Sequence, residues 1–110
     1  MSFNVYTTDF FDSELKRLAK KYSSVKGDFK ALVDSLKVDP KQGQSLGKDC
    51  YKVRMAISSK GKGKSGGSRV ITCVKVAAGS VFLLSIYDKG DKESISEKEL
   101  DTLLRLAGLF

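Results

Sequence analysis

"CYKVRMAI", residues 50–57, alternates strictly: Tyr51, Val53, Met55 and Ile57 fall on one side of an extended chain, and Lys52, Arg54 and Ala56 on the other. Successive side chains of a strand point to opposite faces, so this stretch is a strand with one apolar and one cationic face. Downstream, "RVITCVKV" (69–76) and "VFLLSIY" (81–87) are β-rich runs separated by the turn signal "AAGS". Residues 50–87 therefore predict three consecutive antiparallel strands. Upstream, Phe3 and Val5 alternate with polar residues as a short first strand, and Thr8 or Asp9 can cap a helix that buries Phe11, Leu15, Leu18 and Tyr22. Ser24 can cap a second helix with the stripe Val25, Phe29, Leu32, Val33 and Leu36. That helix stops before Pro40, which biases Asp39 away from helical dihedrals. Ser96 and Glu99 form a capping box for a last helix with the stripe Leu100, Leu103, Leu104 and Ala107. The order β-α-α-β-β-β-α predicts an α+β fold: an antiparallel sheet packed against an N-terminal helical hairpin and a C-terminal helix.

The 110 residues, 41% of them hydrophobic, fit one domain over 1–110 with a single modest core. The longest apolar runs, such as "VFLL" at 81–84, fall far short of the ~20 residues that cross a bilayer. "MSFNVYTTDF" has no signal-peptide layout, so a soluble, cytoplasmic protein with no membrane partner is expected. Cys50 and Cys73 lie in strand-like runs and histidine is absent, which excludes a Cys/His zinc site; both cysteines read as reduced packing residues.

The formal charge of +7 is local. Residues 48–76 carry eight basic side chains against the single acid Asp49, and the rest of the chain balances twelve against twelve. Such a patch attracts polyanions. Its most basic part, "SSKGKGKSGGSRVI" at 58–71, sets Lys60, Lys62 and Lys64 on alternate positions between glycines. "GKS" at 63–65 is not a phosphate loop, because Ser58 stands where that motif needs glycine and a strand follows where it needs a helix. Paired-carboxylate and two-metal hydrolysis are excluded by the lack of acids on the basic sheet, and the usual histidine base is missing. What remains is a cluster of Lys and Arg on a strand face, with tyrosine nearby and a cationic hairpin above it. These residue types hold a phosphodiester.

Taken together, "CYKVR" opening the second strand, glycine then "SRVI" opening the third and "IYDK" closing the fourth resemble the RelE/ParE superfamily of bacterial toxins. "KGKGKSGGSRVI" and "LLSIYDK" are similar to a HigB-like branch of it. The resemblance implies an endoribonuclease, acting without metal or cofactor, that enters the ribosomal decoding site, cuts messenger RNA there and is silenced by a cognate antitoxin. Motif by motif, it assigns the catalytic work to Lys52, Arg54, Arg69 and Lys89. The family's tyrosine before the last helix falls on Ile95, so Tyr87 is the substitute candidate. Lys60, Lys62, Lys64 and Lys75 are expected to anchor RNA phosphates, the first three on a backbone loosened by glycine. Arg69 is expected to grip the scissile phosphate without contributing to the core, and Lys52 or Lys89 to carry the proton. Two rivals share the residues: a ParE-like inhibitor of DNA gyrase, which needs no catalytic face, and a non-catalytic RNA or DNA binder using the patch electrostatically. For the antitoxin, an acidic or amphipathic segment can cover the cationic face or displace the last helix.

Overall fold

The computed structural model describes residues 2–109; Met1 and Phe110, the ends of the expected 1–110 domain, lie outside the described residues. The chain runs β1 (Asn4–Thr7), α1 (Asp9–Lys21), α2 (Val25–Val38), β2 (Gln44–Gly47), β3 (Cys50–Met55), β4 (Ser68–Lys75), β5 (Ser80–Asp88) and α3 (Glu97–Leu106), with 3-10 turns at Ser58–Lys60 and Val76–Ala78. The five strands form one sheet in the order β1-β5-β4-β3-β2; β1 runs parallel to β5 and the other neighbours are antiparallel. The α+β class, both helical layers and the three central strands stand where the alternation and stripes put them.

One strand exceeds the expected order. β2 is a four-residue edge strand, joined to β3 by Lys48 and Asp49, both with positive φ (57° and 64°). A two-residue hairpin turn of this hand normally carries Asn-Gly or another glycine pair, so "KD" gives no turn signal. Helix caps split in the same way. Thr8 caps α1 by accepting from the Phe11 amide at 3.0 Å, and the Ser96/Glu99 box closes the start of α3. Ser24 occupies the N-cap position of α2 in helical dihedrals and caps nothing. Its hydroxyl instead donates to Asp28 at 2.8 Å and accepts from the Ser59 amide at 2.9 Å. Asp28 in turn accepts from the amide and hydroxyl of Ser58. The start of α2 is thereby tied to the segment leaving β3.

The sheet is covered on both faces. On one, Phe11, Leu18, Val25, Leu32 and Leu36 of the helical hairpin pack on Val53, Met55, Val70, Leu83 and Ile86, with Leu15, Tyr22, Phe29 and Val33 at the margin. On the other, Leu100, Leu103 and Leu104 of α3 pack on Cys50, Ile71, Cys73 and Leu84. Cys50 and Cys73 are directly opposed across β3 and β4 as buried free thiols. A ten-residue helix covers only about 15 Å of sheet. It shelters the cysteine end and leaves the Lys52/Arg54 end of the same face to other residues. Among the described residues no helix is long and apolar enough to cross a membrane.

Candidate nucleic-acid site

Strand register builds the site. Arg54 of β3 is paired with Arg69 of β4, and Arg69 with Tyr87 of β5, so the three form one row across the sheet; Lys52 is paired with Gln44 of β2. Two arginines directly opposed destabilise a sheet unless their charge is compensated. Arg54 is exposed, whereas Arg69 is 1% exposed and among the largest fully buried side chains of the molecule. The expectation that Arg69 stands clear of the core is therefore corrected. The loop after β3 folds back over it: Nη1 donates to the Lys64 and Ser68 carbonyls at 3.2 and 3.1 Å, and Nη2 to the Ser65 carbonyl at 3.1 Å and to both Glu93 carboxylate oxygens at 3.3 and 3.4 Å. Its Nε is buried without a hydrogen-bond partner among the described residues. Gly67 permits this fold-back, since a Cβ there would strike the Met55 carbonyl oxygen and approach the Ile57 nitrogen to 2.8 Å.

The lysines divide into four groups. Lys52 has a side chain 12% exposed, donates to the Glu93 carbonyl at 3.3 Å and lies 3.9 Å from its carboxylate. Lys60 is drawn inward: Nζ lies 2.8 Å from Asp88 Oδ1 and 5.3 Å from the centre of the Tyr22 ring, and the side chain is 12% exposed. The hairpin is thus held at one end, and its glycines serve defined turns, Gly61 and Gly63 having φ of 71° and 65°. Lys62 and Lys64 are exposed, and Lys64 lines an open groove with Gln42, Gln44, Lys52, Arg54 and Glu93. Lys75 and Lys89 do not line that groove. Lys75 pairs with Asp49 at 3.3 Å at the far end of β4, about 20 Å from Arg69 by strand rise. Lys89 is exposed beyond β5, its amide bonded to the Gly67 carbonyl at 3.1 Å.

Tyr87 faces the site. Its hydroxyl donates to the Glu93 carbonyl at 3.4 Å, and the Lys92 ammonium lies 4.9 Å from its ring centre. Burial pushes the phenol up to about 12, the Arg69 charge pulling the other way, so the hydroxyl keeps its proton at neutral pH. Ile95 packs into the α3 layer and takes no part in the groove.

Sequence reasoning missed two acids. Glu93 meets Arg69, Lys52 and Tyr87 together. Asp88, present in the sequence reading only within "IYDK", is the hub of the hairpin: besides Lys60 it accepts from the Tyr22 hydroxyl at 2.8 Å and the Gly90 amide at 2.9 Å. Nothing distinguishes Glu93 in sequence from Asp91, the other acid of this polar loop. Asp88 had one signal, an acid closing an otherwise apolar strand beside a surplus of lysines. The face as built offers two arginines, a lysine and a protonated phenol within one row and its neighbour, which can align a phosphodiester and stabilise charge on it.

The sequence profile of RelE, "RelE toxin of RelE / RelB toxin-antitoxin system", matches residues 10–110. No curated protein sequence matches the chain. Among solved structures, the isolated E. coli RelE toxin is 19% identical with a TM-score of 0.62, the match covering 96% of this chain and 99% of that one. The intact E. coli RelBE toxin–antitoxin complex is 20% identical with a TM-score of 0.62, covering 79% and 96%. The RelBE2 toxin–antitoxin complex of Mycobacterium tuberculosis is 13% identical with a TM-score of 0.60, covering 80% and 92%.

Proposed function

The chain belongs to the RelE family of toxins of toxin–antitoxin systems, and from that premise we propose that it is a metal-independent endoribonuclease that cuts messenger RNA in the ribosomal decoding site. The observation that carries this is the row Arg54–Arg69–Tyr87 with Lys52 beside it, a like-charge pairing that costs the sheet stability and makes sense as a phosphate-binding face. RNA supplies its own nucleophile, the 2′-hydroxyl. A protein has only to align it in line with the phosphorus, stabilise the charge gathering on the phosphate oxygens and protonate the departing 5′-oxygen. Arg54 and Arg69 suit the second task, since a guanidinium fork matches phosphate oxygens and stays charged. Tyr87 and Lys52 carry protons within reach of that centre. Lys62 and Lys64, exposed on the hairpin, are the anchors for RNA phosphates outside the cut. Lys89, two residues past Tyr87 with its amide on the Gly67 carbonyl, keeps its expected place as a proton carrier, and Lys75, paired with Asp49, is left with a general electrostatic role.

An antitoxin is the second partner, by analogy with the RelBE complexes. An acidic or amphipathic segment would neutralise the face by contact, and its bulk would keep the toxin off the ribosome. The test is expression of the chain alone and with the product of the adjacent open reading frame. Growth arrest relieved by a co-purifying neighbour, and absent for Arg54→Ala, is expected. A harmless wild-type chain would leave the nucleic-acid-binding reading in its place.

A further inference from the structure

The site is already occupied by the chain itself. Three of the candidate residues, from three different strands, converge on Glu93: the Arg69 guanidinium on its carboxylate at 3.3 Å, the Lys52 ammonium on its carbonyl at 3.3 Å and its carboxylate at 3.9 Å, and the Tyr87 hydroxyl on its carbonyl at 3.4 Å. Glu93 belongs to the segment between β5 and α3, which is fastened at both ends. The Asp91 and Lys92 amides bond to the Asp88 carbonyl, and Lys92 pairs with Glu99 of the α3 capping box. The segment is thus a strap across the cationic row, pinned through its backbone, with one acidic side chain turned onto the buried arginine.

We propose that Glu93 holds the place of a phosphate: Arg69 Nη2 and Lys52 Nζ form a single-phosphate subsite, which the free protein keeps closed with its own carboxylate and which RNA opens by displacing it. The inference rests on the reading of this face as an RNA-binding site and adds its resting state. A carboxylate and a phosphodiester present similar paired oxygens to a guanidinium, so the two compete for one set of donors. The competition is uneven in two respects. Glu93 is 51% exposed, so water screens its ion pair and leaves it replaceable. Arg69 is not fully used by it, because Nε remains a buried donor without a partner among the described residues, and a phosphate brings acceptors that a carboxylate lacks. The arginine is therefore held in one orientation, with its charge compensated, until a polyanion arrives. An exposed arginine would bind any phosphate it met. A covered one binds where other contacts, those of Arg54, Lys62 and Lys64, help to lift the strap.

Glu93→Gln removes the competing charge and keeps the shape. Binding of a short 2′-O-methylated RNA, which cannot be cut, is measured by fluorescence anisotropy for the wild type, Glu93→Gln and Asp91→Asn. Asp91→Asn makes the same charge change two residues away on an exposed acid with no contact to Arg69. Glu93→Gln is expected to tighten binding about five- to tenfold, and Asp91→Asn less than about twofold. Equal gains by the two variants, or no gain by Glu93→Gln, would overturn the subsite. Should Glu93→Gln melt too low to assay, Glu93→Asp withdraws the carboxylate from Arg69 at constant net charge, and a gain of about threefold is expected against none if the strap is only structural. Message cutting by the wild type in a translating extract separates the two ideas. Cutting without a Glu93→Gln gain removes the closed subsite alone. A gain without cutting keeps the subsite and removes the nuclease.

Discussion

Asp88→Asn strikes the joint by which the basic hairpin is held to the helices. The Asp88 side chain is 5% exposed and receives the Lys60 ammonium at 2.8 Å, with the Tyr22 hydroxyl and Gly90 amide on its remaining lone pairs. Burial works against its charge, but the Lys60 ammonium, the Gly90 amide and the Tyr22 hydroxyl outweigh it and lower the carboxyl from 3.8 to about 2. A shift of that size corresponds to about 2–3 kcal/mol of folding free energy at neutral pH. Because the folded state binds this proton less tightly than the unfolded one, the contribution is complete above a pH of about 4 and disappears as pH falls toward 2. Asparagine keeps an acceptor for the Gly90 amide and leaves the Lys60 ammonium unpaired. The lysine stem can swing its charge into water, which limits the cost of a broken buried pair to about 2–3 kcal/mol, or about 10 °C in Tm for a chain of this length. Urea denaturation of both proteins across the acid range reads the difference directly. A gap of about 2–3 kcal/mol at neutral pH that narrows below a pH of about 4 and closes as pH approaches 2 is expected. A gap under about 1 kcal/mol, the size of an exposed ion pair, or one that persists in acid, would refute the hub.

Arg54 and Arg69 should part company on substitution. Arg54→Ala, at an exposed position, should cost under about 0.5 kcal/mol in a urea titration while lowering the cutting rate about 100-fold or more; Arg69→Ala should lose both activity and stability. Replacing Lys62 and Lys64 by Ala should reduce the slope of log affinity for single-stranded RNA against log salt by about 1.4, whereas Lys60→Ala, already paired with Asp88, should change stability more than slope. Gly67→Ala should destabilise the protein by about 2 kcal/mol or more in thermal melts, because its Cβ meets backbone at Met55 and Ile57 that cannot yield without reopening the hairpin.

Legibility in the sequence followed the range over which each feature is encoded. Period-two alternation at 51–57 and the stripes of the three helices are local and strong, and they placed the sheet, its apolar face and both covering layers. β2 escaped because four mostly exposed residues and a Lys-Asp turn carry neither alternation nor glycine. The positions of Lys52 and Arg54 on one face followed from strand geometry alone. The burial of Arg69 did not, because it depends on carbonyls of residues 64 and 65 and on a carboxylate 24 residues away. Lys60, Lys62 and Lys64 look equivalent in a Gly/Lys repeat. Only the distant pair Tyr22 and Asp88 distinguishes the first from the others.

On the proposed reading, this cationic row cuts messenger RNA on the ribosome. The most direct test of that claim is to add the purified protein to a translating extract and map the 5′ ends of the message. New ends in phase with codons are expected, present only while ribosomes occupy the message and lost with Arg54→Ala. An unbroken message under arrested translation, or equal cutting of naked RNA, would contradict the claim.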